Sequence, residues 1–273
     1  TGASSGIGRA TALHLDNMGF KVFAGVRKES DGEALEKRGS DRLKAMILDV
    51  TDDESIAAAA RLVNESAGGK LSGLVNNAGV SLNGPLEIVP AADIRKVIEV
   101  NTVGLLMATK AFIPLLRSGK GRIVNVSSGH GLLGVPDKSV YAASKFAVQA
   151  IAESLRAELR PFGVTVSNLV VGKVDTEVLG KITADRERMI TSASPEVVKL
   201  YRPLFEFFER EVRDLPGIKP EDVARVAARA LTDDRPRAQY LVGPGAKKMK
   251  NLARLPVSLR DGLMYKAIYG RHQ

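Results

Sequence analysis

Residues 123–145 read Ile-Val-Asn-Val-Ser-Ser-Gly-His-Gly-Leu-Leu-Gly-Val-Pro-Asp-Lys-Ser-Val-Tyr-Ala-Ala-Ser-Lys. The apolar run 123–126 has the character of a fully buried strand, and Ser127 and Ser128 fall where that strand would end. A Gly/Pro-rich loop follows. Val140, Ala143, Ala147, Ile151, Leu155 and Leu159 then recur three or four apart, which predicts a helix with one apolar stripe. Tyr141 and Lys145 are four apart, so they project from one face of that helix. A neighbouring ammonium favours phenolate, and the expectation is a Tyr pKa drawn down from about 10, as suits a general acid/base. Such a pair on its own is as readily a solvated surface contact. Ser128, thirteen residues before Tyr141, adds a hydroxyl that strand end and helix start would bring to the same rim.

The frame Ser128-x12-Tyr141-x3-Lys145 resembles the short-chain dehydrogenase/reductase family. Four further stretches fit the resemblance. Thr1-Gly2-Ala3-Ser4-Ser5-Gly6-Ile7-Gly8 is a glycine turn ahead of a helix at 9–18; missing side chains there let backbone N–H groups and the helix N-terminus approach a phosphate. Taken alone it could be a simple turn, but its Gly-x3-Gly-x-Gly spacing is the family's, and Gly2, Ser4, Ser5, Gly6, Ile7 and Gly8 become expected cofactor contacts. Asn76-Asn77-Ala78-Gly79 resembles the family's Asn-Asn-Ala-Gly motif, with Asn77, Ala78 and Gly79 expected against the cofactor and the asparagines tying neighbouring turns together. Val100-Asn101-Thr102-Val103-Gly104, inside a predicted helix over 92–116, fits Val-Asn-x-x-Gly. The family's Pro-Gly-x3-Thr reads here Val171-Gly172-Lys173-Val174-Asp175-Thr176. The missing Pro loosens that loop, in which Val174 and Thr176 are the expected cofactor contacts.

The alternation of strands and helices predicts an α/β fold, a doubly wound parallel sheet of Rossmann type in a single domain over 1–273. Strands are expected at 21–26, 45–48, 73–75, 164–170 and 239–242 besides the central one, and a helix at 220–231. A buried strand should precede the glycine turn, so the first strand is expected to be missing from the N-terminus. Residues 177–216 are long, charged and partly helical, with Leu200, Tyr201, Leu204, Phe205, Phe207 and Phe208. They read as a substrate lid or, equally, as a helix anchored on the core.

Composition narrows the choices. The chain has 273 residues, no cysteine and three scattered histidines (His14, His130, His272); disulfides, thiolate metal sites and a Cys nucleophile are excluded, and no metal centre is expected. No apolar run of about eighteen residues and no signal peptide is evident, so the expected location is the cytoplasm. The net charge is +9, of which residues 247–273 carry +6. The remaining +3 is not a nucleic-acid-binding surface. The basic tail also holds Leu252, Leu255, Val257, Leu259, Leu263, Met264 and Ile268. It would pack over the substrate cleft or a neighbouring subunit, or rest peripherally on an anionic membrane; Pro256 breaks any continuous amphipathic helix and favours packing.

The resemblance implies an oxidoreductase moving hydride between a nicotinamide and an alcohol or ketone carbon. Tyr141 would exchange the proton and Ser128 would hold the substrate oxygen, so both are substrate residues. Lys145, with Tyr141, would also bind the nicotinamide ribose, and Asn101 would hold a water relaying protons from Lys145. Asp49 and Val50 would meet the adenine, although Thr51 to Glu54 could equally be a helix cap. An acid at the end of the second strand would favour NAD. Val26 stands there, followed by Arg27 and Lys28, cations that can hold a 2′-phosphate, so NADP is expected and NAD is the alternative. The loop after Ser128 and the tail pattern Leu255-Pro256-x4-Asp261 resemble the hydroxysteroid/retinol dehydrogenase branch, which implies an apolar secondary alcohol or ketone. A small 3-hydroxy or 3-oxo acid is the alternative. A non-catalytic NADP-binding sensor on the same fold would have no use for Asn101, Ser128, Tyr141 and Lys145 together. The helices at 92–116 and 140–160 are apolar over more than one face, and the family pairs them across a two-fold axis, which implies a homodimer or homotetramer.

Overall fold

The computed structural model describes residues 1–176, 178–214 and 216–270. Glu177 and Leu215 of the expected lid, and Arg271, His272 and Gln273 of the tail, lie outside the described residues. In chain order the elements begin with α1 (Gly6–Asn17), β1 (Val22–Val26), α2 (Glu29–Glu36), β2 (Leu43–Ile47), α3 (Asp53–Ser66) and β3 (Gly73–Asn76). Next come α4 (Ala91–Ile98), a π-helical turn (Glu99–Val103), α5 (Gly104–Gly119), β4 (Arg122–Ser128), α6 (Ser139–Leu159) and β5 (Thr165–Val171). The remainder is helical except for one strand: α7 (Val178–Ser192), α8 (Pro195–Asp214), α9 (Pro220–Thr232), β6 (Gln239–Val242), α10 (Pro244–Leu252) and α11 (Val257–Tyr269).

All strand pairs are parallel, as an apolar run with no alternation requires. They form a two-stranded ladder β1–β2 and a four-stranded ladder β3–β4–β5–β6, rather than one continuous sheet. Thr1 to Ala3 bridge the two, the Thr1 nitrogen donating to Val75 O (2.9 Å) and Ala3 N–H to Gly25 O (2.9 Å). Beside this bridge lies a cavity of about 360 Å³, lined by Val22, Ala24, Leu74 and Val75 among others.

Period-2 side-chain alternation divides each central strand between two layers. Ile123 and Val166 point into a core with Phe112 and Leu116 of α5, Ile56 of α3 and Leu155 of α6. Val124, Val126 and Leu169 point the other way, against Val223 and Ala227 of α9. Helices thus cover both faces. Helix starts follow from local chemistry: the Asp52 carboxylate caps α3, accepting from Glu54 N–H (2.9 Å) and Ser55 N–H (3.3 Å).

The helix expected at 92–116 is interrupted. Its middle turn is π-helical, which places Asn101 inward and buried, a distortion often found at functional sites. By length and composition alone Ala91–Gly119 could cross a membrane, with 29 residues and an 18-residue window of mean hydropathy 1.3. This corrects the expectation that no stretch would qualify. Leu105, Ala108, Phe112, Leu115 and Leu116 are nevertheless buried under the sheet, while Val103, Leu106 and, on α6, Phe146 remain exposed.

A buried row of amides crosses the four-stranded ladder. Asn76, Asn125 and Asn168 are register partners on β3, β4 and β5. Asn76 Nδ2 donates to Asn125 Oδ1 (2.9 Å), Asn125 Nδ2 to Asn168 Oδ1 (3.2 Å), and Asn168 Nδ2 to Gln149 Oε1 of α6 (2.7 Å). Gln149 Nε2 completes the row on Ser127 Oγ (3.1 Å). Asn125→Ala strands a donor and an acceptor on its neighbours, and unsatisfied buried groups cost about 1–3 kcal/mol each. The expected thermal-midpoint loss is about 4–12 °C, taking roughly 2–3 kcal/mol in total. An unchanged midpoint in scanning calorimetry would show that the row carries no weight.

Candidate active site

Every strand-end loop from residue 2 to residue 176 opens into one cleft of about 1540 Å³ at the carboxyl ends of the strands, where open α/β sheets place their ligands. The glycine turn forms one end. Gly6 has φ +52°, and α1 begins there with no side-chain cap and no acid in its first turn, which suits a bound phosphate. Asn77 holds the turn in place: its Nδ2 donates to Thr1 O and Gly2 O (3.0 Å each), while Thr1 Oγ1 accepts from Asn77 N–H (3.0 Å) and Ala78 N–H (2.9 Å). The expected tie between turns is therefore present.

Gly2, Ser4, Ser5, Gly6 and Ile7 line the cleft, as do Arg27, Asp49, Val50, Asn77, Ala78, Gly79, Val174 and Thr176. Gly8 does not. It lies beneath the turn, where an added Cβ would run into the Gly2 carbonyl oxygen, so its need for glycine is one of packing. Lys28 is likewise off the lining and exposed, leaving Arg27 as the cation at the end of β1. The Asp49 carboxyl sits below its ordinary range. Burial alone would raise it, but the Thr51 N–H (2.9 Å), the Thr51 hydroxyl (2.7 Å) and the Arg27 charge outweigh that effect.

Ser128, Tyr141 and Lys145 meet on the cleft wall. The Ser128 hydroxyl is hydrogen-bonded to the Tyr141 phenol and also accepts from His130 N–H (3.2 Å). Lys145 is 7% exposed, donates from Nζ to Val126 O (3.1 Å), and lies 5.7 Å from the Tyr141 ring centroid. Burial pushes the Lys145 ammonium down to about 8. The Tyr141 phenol is pushed up rather than down, since desolvation outweighs the hydrogen bond from Ser128. The expectation of a lowered Tyr pKa fails because enclosure penalises phenolate more than this ammonium, directed at a carbonyl, favours it. Tyr141 therefore holds its proton at neutral pH.

Asn101 is buried and off the cleft lining. Its Oδ1 accepts from Val80 N–H (2.8 Å), and its Nδ2 donates to Val80 O (2.9 Å) and Ser144 Oγ (3.0 Å). With both ends of the amide committed, Asn101 braces the turn after Gly79 against α6.

The opposite wall comes from elements the sequence left ambiguous. Aromatics of α8 form their own cluster, in which Leu204 and Phe208 pack with Ile268 of α11, and Val135, Phe207 and Met264 adjoin. Phe207 and Phe208 also line the cleft, beside Met249, Leu252, Leu263 and Met264 of the tail. Met249 lies so close to Gly129 that any side chain there would collide with its sulfur. The tail's apolar residues thus pack on the cleft, while Val257, Leu259 and Tyr265 remain exposed. The sequence reading missed His130, Lys138 and Arg186, all on the lining. His130 lies edge-on to Tyr141, with ring centroids 5.9 Å apart, and is driven to about 3 by burial and Lys138, so it is neutral. Their only sequence signal was position, in the loop before Tyr141 or in the charged 177–216 stretch.

The sequence model of the family described as short chain dehydrogenase matches residues 1–187. The chain is a short-chain dehydrogenase/reductase. Among relatives, this short-chain dehydrogenase is 35% identical over 274 residues to retinol dehydrogenase 7 of Rattus norvegicus, covering 97% of this chain and 86% of the relative. It is 37% identical to 17-beta-hydroxysteroid dehydrogenase type 6 of Mus musculus over the same shares. A short-chain dehydrogenase from Burkholderia cenocepacia J2315 in complex with NADP superimposes with a TM-score of 0.73 at 29% identity, covering 96% of this chain and 94% of that one. The protein is accordingly an NAD(P)-dependent oxidoreductase acting on CH–OH groups, of the hydroxysteroid/retinol branch. The uncapped glycine turn, the cation at the β1 end and the Tyr141–Lys145 pair, set along one cleft, fit a nicotinamide dinucleotide.

The two kinds of glycine separate experimentally. Gly8→Ala should cost about 1–3 kcal/mol by overpacking, seen as a lower thermal midpoint without any cofactor. A normal midpoint combined with weakened NADPH binding would instead make Gly8 a cofactor contact.

Proposed function

We propose that this short-chain dehydrogenase interconverts an apolar ketone and its secondary alcohol with NADP(H). The observation that carries the reading is the meeting of Ser128, Tyr141 and Lys145 at a wall facing Leu133, Val135, Phe207, Phe208, Met249 and Met264. The nicotinamide, when bound, supplies or accepts the hydride. The protein's own part is to hold the substrate oxygen and move one proton. Ser128 donates to that oxygen and so stabilises charge developing on it. Tyr141 gives its phenolic proton to the oxygen in reduction and takes a proton from the hydroxyl in oxidation. Lys145 keeps positive charge beside the phenol and binds the nicotinamide ribose, and Asn101 fixes the turn that packs over Lys145. The apolar opposite wall excludes water and selects an apolar substrate, in keeping with the retinol and hydroxysteroid dehydrogenases among the relatives.

Tyr141→Phe preserves shape and removes the titrating proton. Turnover should fall by roughly 10²–10⁴-fold while NADPH binding survives; turnover within about threefold of wild type would refute the role. The pH dependence has a definite sign. A protonated phenol serves reduction at neutral pH, and reduction should decline above about 8 as Lys145 loses its proton. Oxidation, which needs Tyr141 as its proton acceptor, should climb only at higher pH, because burial raises the phenol and loss of the Lys145 charge no longer favours phenolate. Parallel initial-rate profiles in the two directions check this.

For cofactor choice the support is Arg27, standing on the cleft where an acid would favour NAD. Arg27→Ala should weaken NADPH by about 10–100-fold, the worth of a charge-assisted bond to the 2′-phosphate, and leave NADH nearly unchanged. Equal losses for both cofactors in steady-state kinetics would make Arg27 a bystander.

A further inference from the structure

One group of charges at the substrate end of the cleft has no part in the proton chemistry. Asp137 is 4% exposed and sits at φ +68°, a left-handed conformation that Asp tolerates at some cost. Its carboxylate binds the guanidinium of Arg186 from α7. That pair is neutral as a unit. The next residue, Lys138, is a second cation on the cleft lining, half-buried, with its ammonium 5.7 Å from the Phe208 ring centroid.

Among the described residues Lys138 has neither a hydrogen bond nor an ion pair of its own. Its nearest charges are Asp137 and Arg186, which offset one another. The first turn of α6, which starts just after it, carries no acid. Asp185, Glu187 and Glu209 also line the cleft, and among the described residues none forms an ion pair with it. Burial lowers the ammonium to about 8, so it is still charged at neutral pH. Nearby, His130 Nδ1, Arg186 Nε and the Oδ1 oxygen of Asp137 are also buried without partners. Charges taken out of water are normally paired, and among the described residues Lys138 has no anion paired with it.

We propose that Lys138 binds a carboxylate on the substrate, so that the preferred substrate is an apolar oxo or hydroxy acid rather than a neutral ketone or alcohol. This rests on the reading of Ser128, Tyr141 and Lys145 given above. Lys138 is the N-cap of α6, three residues before Tyr141, and lines the same cleft; its charge acts on His130, whose ring centroid lies 5.9 Å from that of Tyr141. The carboxylate therefore lies near the reacting carbon. The rest of the molecule extends over Leu133, Phe208, Met249 and Met264. A charge-assisted bond to carboxylate supplies the missing counter-ion, and the left-handed turn at Asp137, fastened to Arg186, holds the lysine at the wall. An ester or amide of the same skeleton offers no such charge.

The experiment separates binding from turnover. With the enzyme saturated with NADP⁺, calorimetric titration compares decanoate with decanamide, neither of which can react. Wild type should bind decanoate about 10–100-fold more tightly, the range for hydrogen bonds to charged groups. Lys138→Met should abolish the difference, and Lys138→Arg should restore most of it. Equal affinities in wild type, or a decanoate preference that survives Lys138→Met, would overturn the proposal. A kinetic arm uses 3-oxodecanoate and its methyl ester with NADPH: Lys138→Met should raise KM for the acid alone, by about tenfold or more, with kcat little changed. A fall in kcat for both compounds would mean a role in folding the site rather than in binding the carboxylate. Because the decanoate titration needs no turnover, it remains decisive if Tyr141→Phe shows the assigned chemistry to be wrong.

Discussion

The buried row of amides from Asn76 to Ser127 fixes the relation between the sheet and its most important helix. Each member donates to the next in one direction, so each bond polarises its neighbour in a medium that screens weakly. Its consequence for the site is geometric. Asn125 lies three residues before Ser128 on β4, and Gln149 lies four residues after Lys145 on α6. Joining them through Asn168 sets the strand that carries the hydroxyl against the helix face that carries the phenol and the ammonium. A strand slipped by one residue would turn Asn125 out of the row and Ser128 out of the cleft together. The Asn101 brace does the same work on the other side of α6 through Ser144, whose hydroxyl also donates to Tyr141 O (2.7 Å).

The active site was legible where its chemistry is local in sequence. Ser128, Tyr141 and Lys145 declare themselves by spacing, because one strand end, one loop and one helix carry all three. The glycine turn and the asparagines after β3 are readable for the same reason. The amide row was not, because it joins three strands and a helix, and the register that aligns Asn76, Asn125 and Asn168 exists only once the ladder has formed. Gly8 misled because a glycine needed for packing and one needed for a ligand look alike in a motif. Strand positions were largely readable from apolar runs, whereas the π turn at Asn101 was not, since helical periodicity tolerates one extra residue without visible change.

The sign of the Tyr141 shift shows a different limit. A sequence can show that a cation and a phenol are neighbours, but not how much water each loses. Here both are enclosed, and enclosure acts in opposite senses on them, raising the acid and lowering the base. The two proton affinities, close together in the free side chains, move apart, so Tyr141 still holds its proton after Lys145 has lost its own. The same reasoning explains why Lys138 escaped notice: a lysine before a helix is ordinary until its partners can be counted.

Chain order gives the cleft wall made by α10 and α11 a bearing on biosynthesis. Those helices follow every strand, and synthesis proceeds from the N-terminal side at roughly 5–20 residues per second. The glycine turn, the central ladder and the Ser128–Tyr141–Lys145 group are therefore all translated before Met249 and Met264 leave the ribosome. For that interval Leu133, Val135 and the aromatic face of α8 stand without the side chains that later cover them. The apolar groove at the substrate end is therefore completed only by the last two helices to be made.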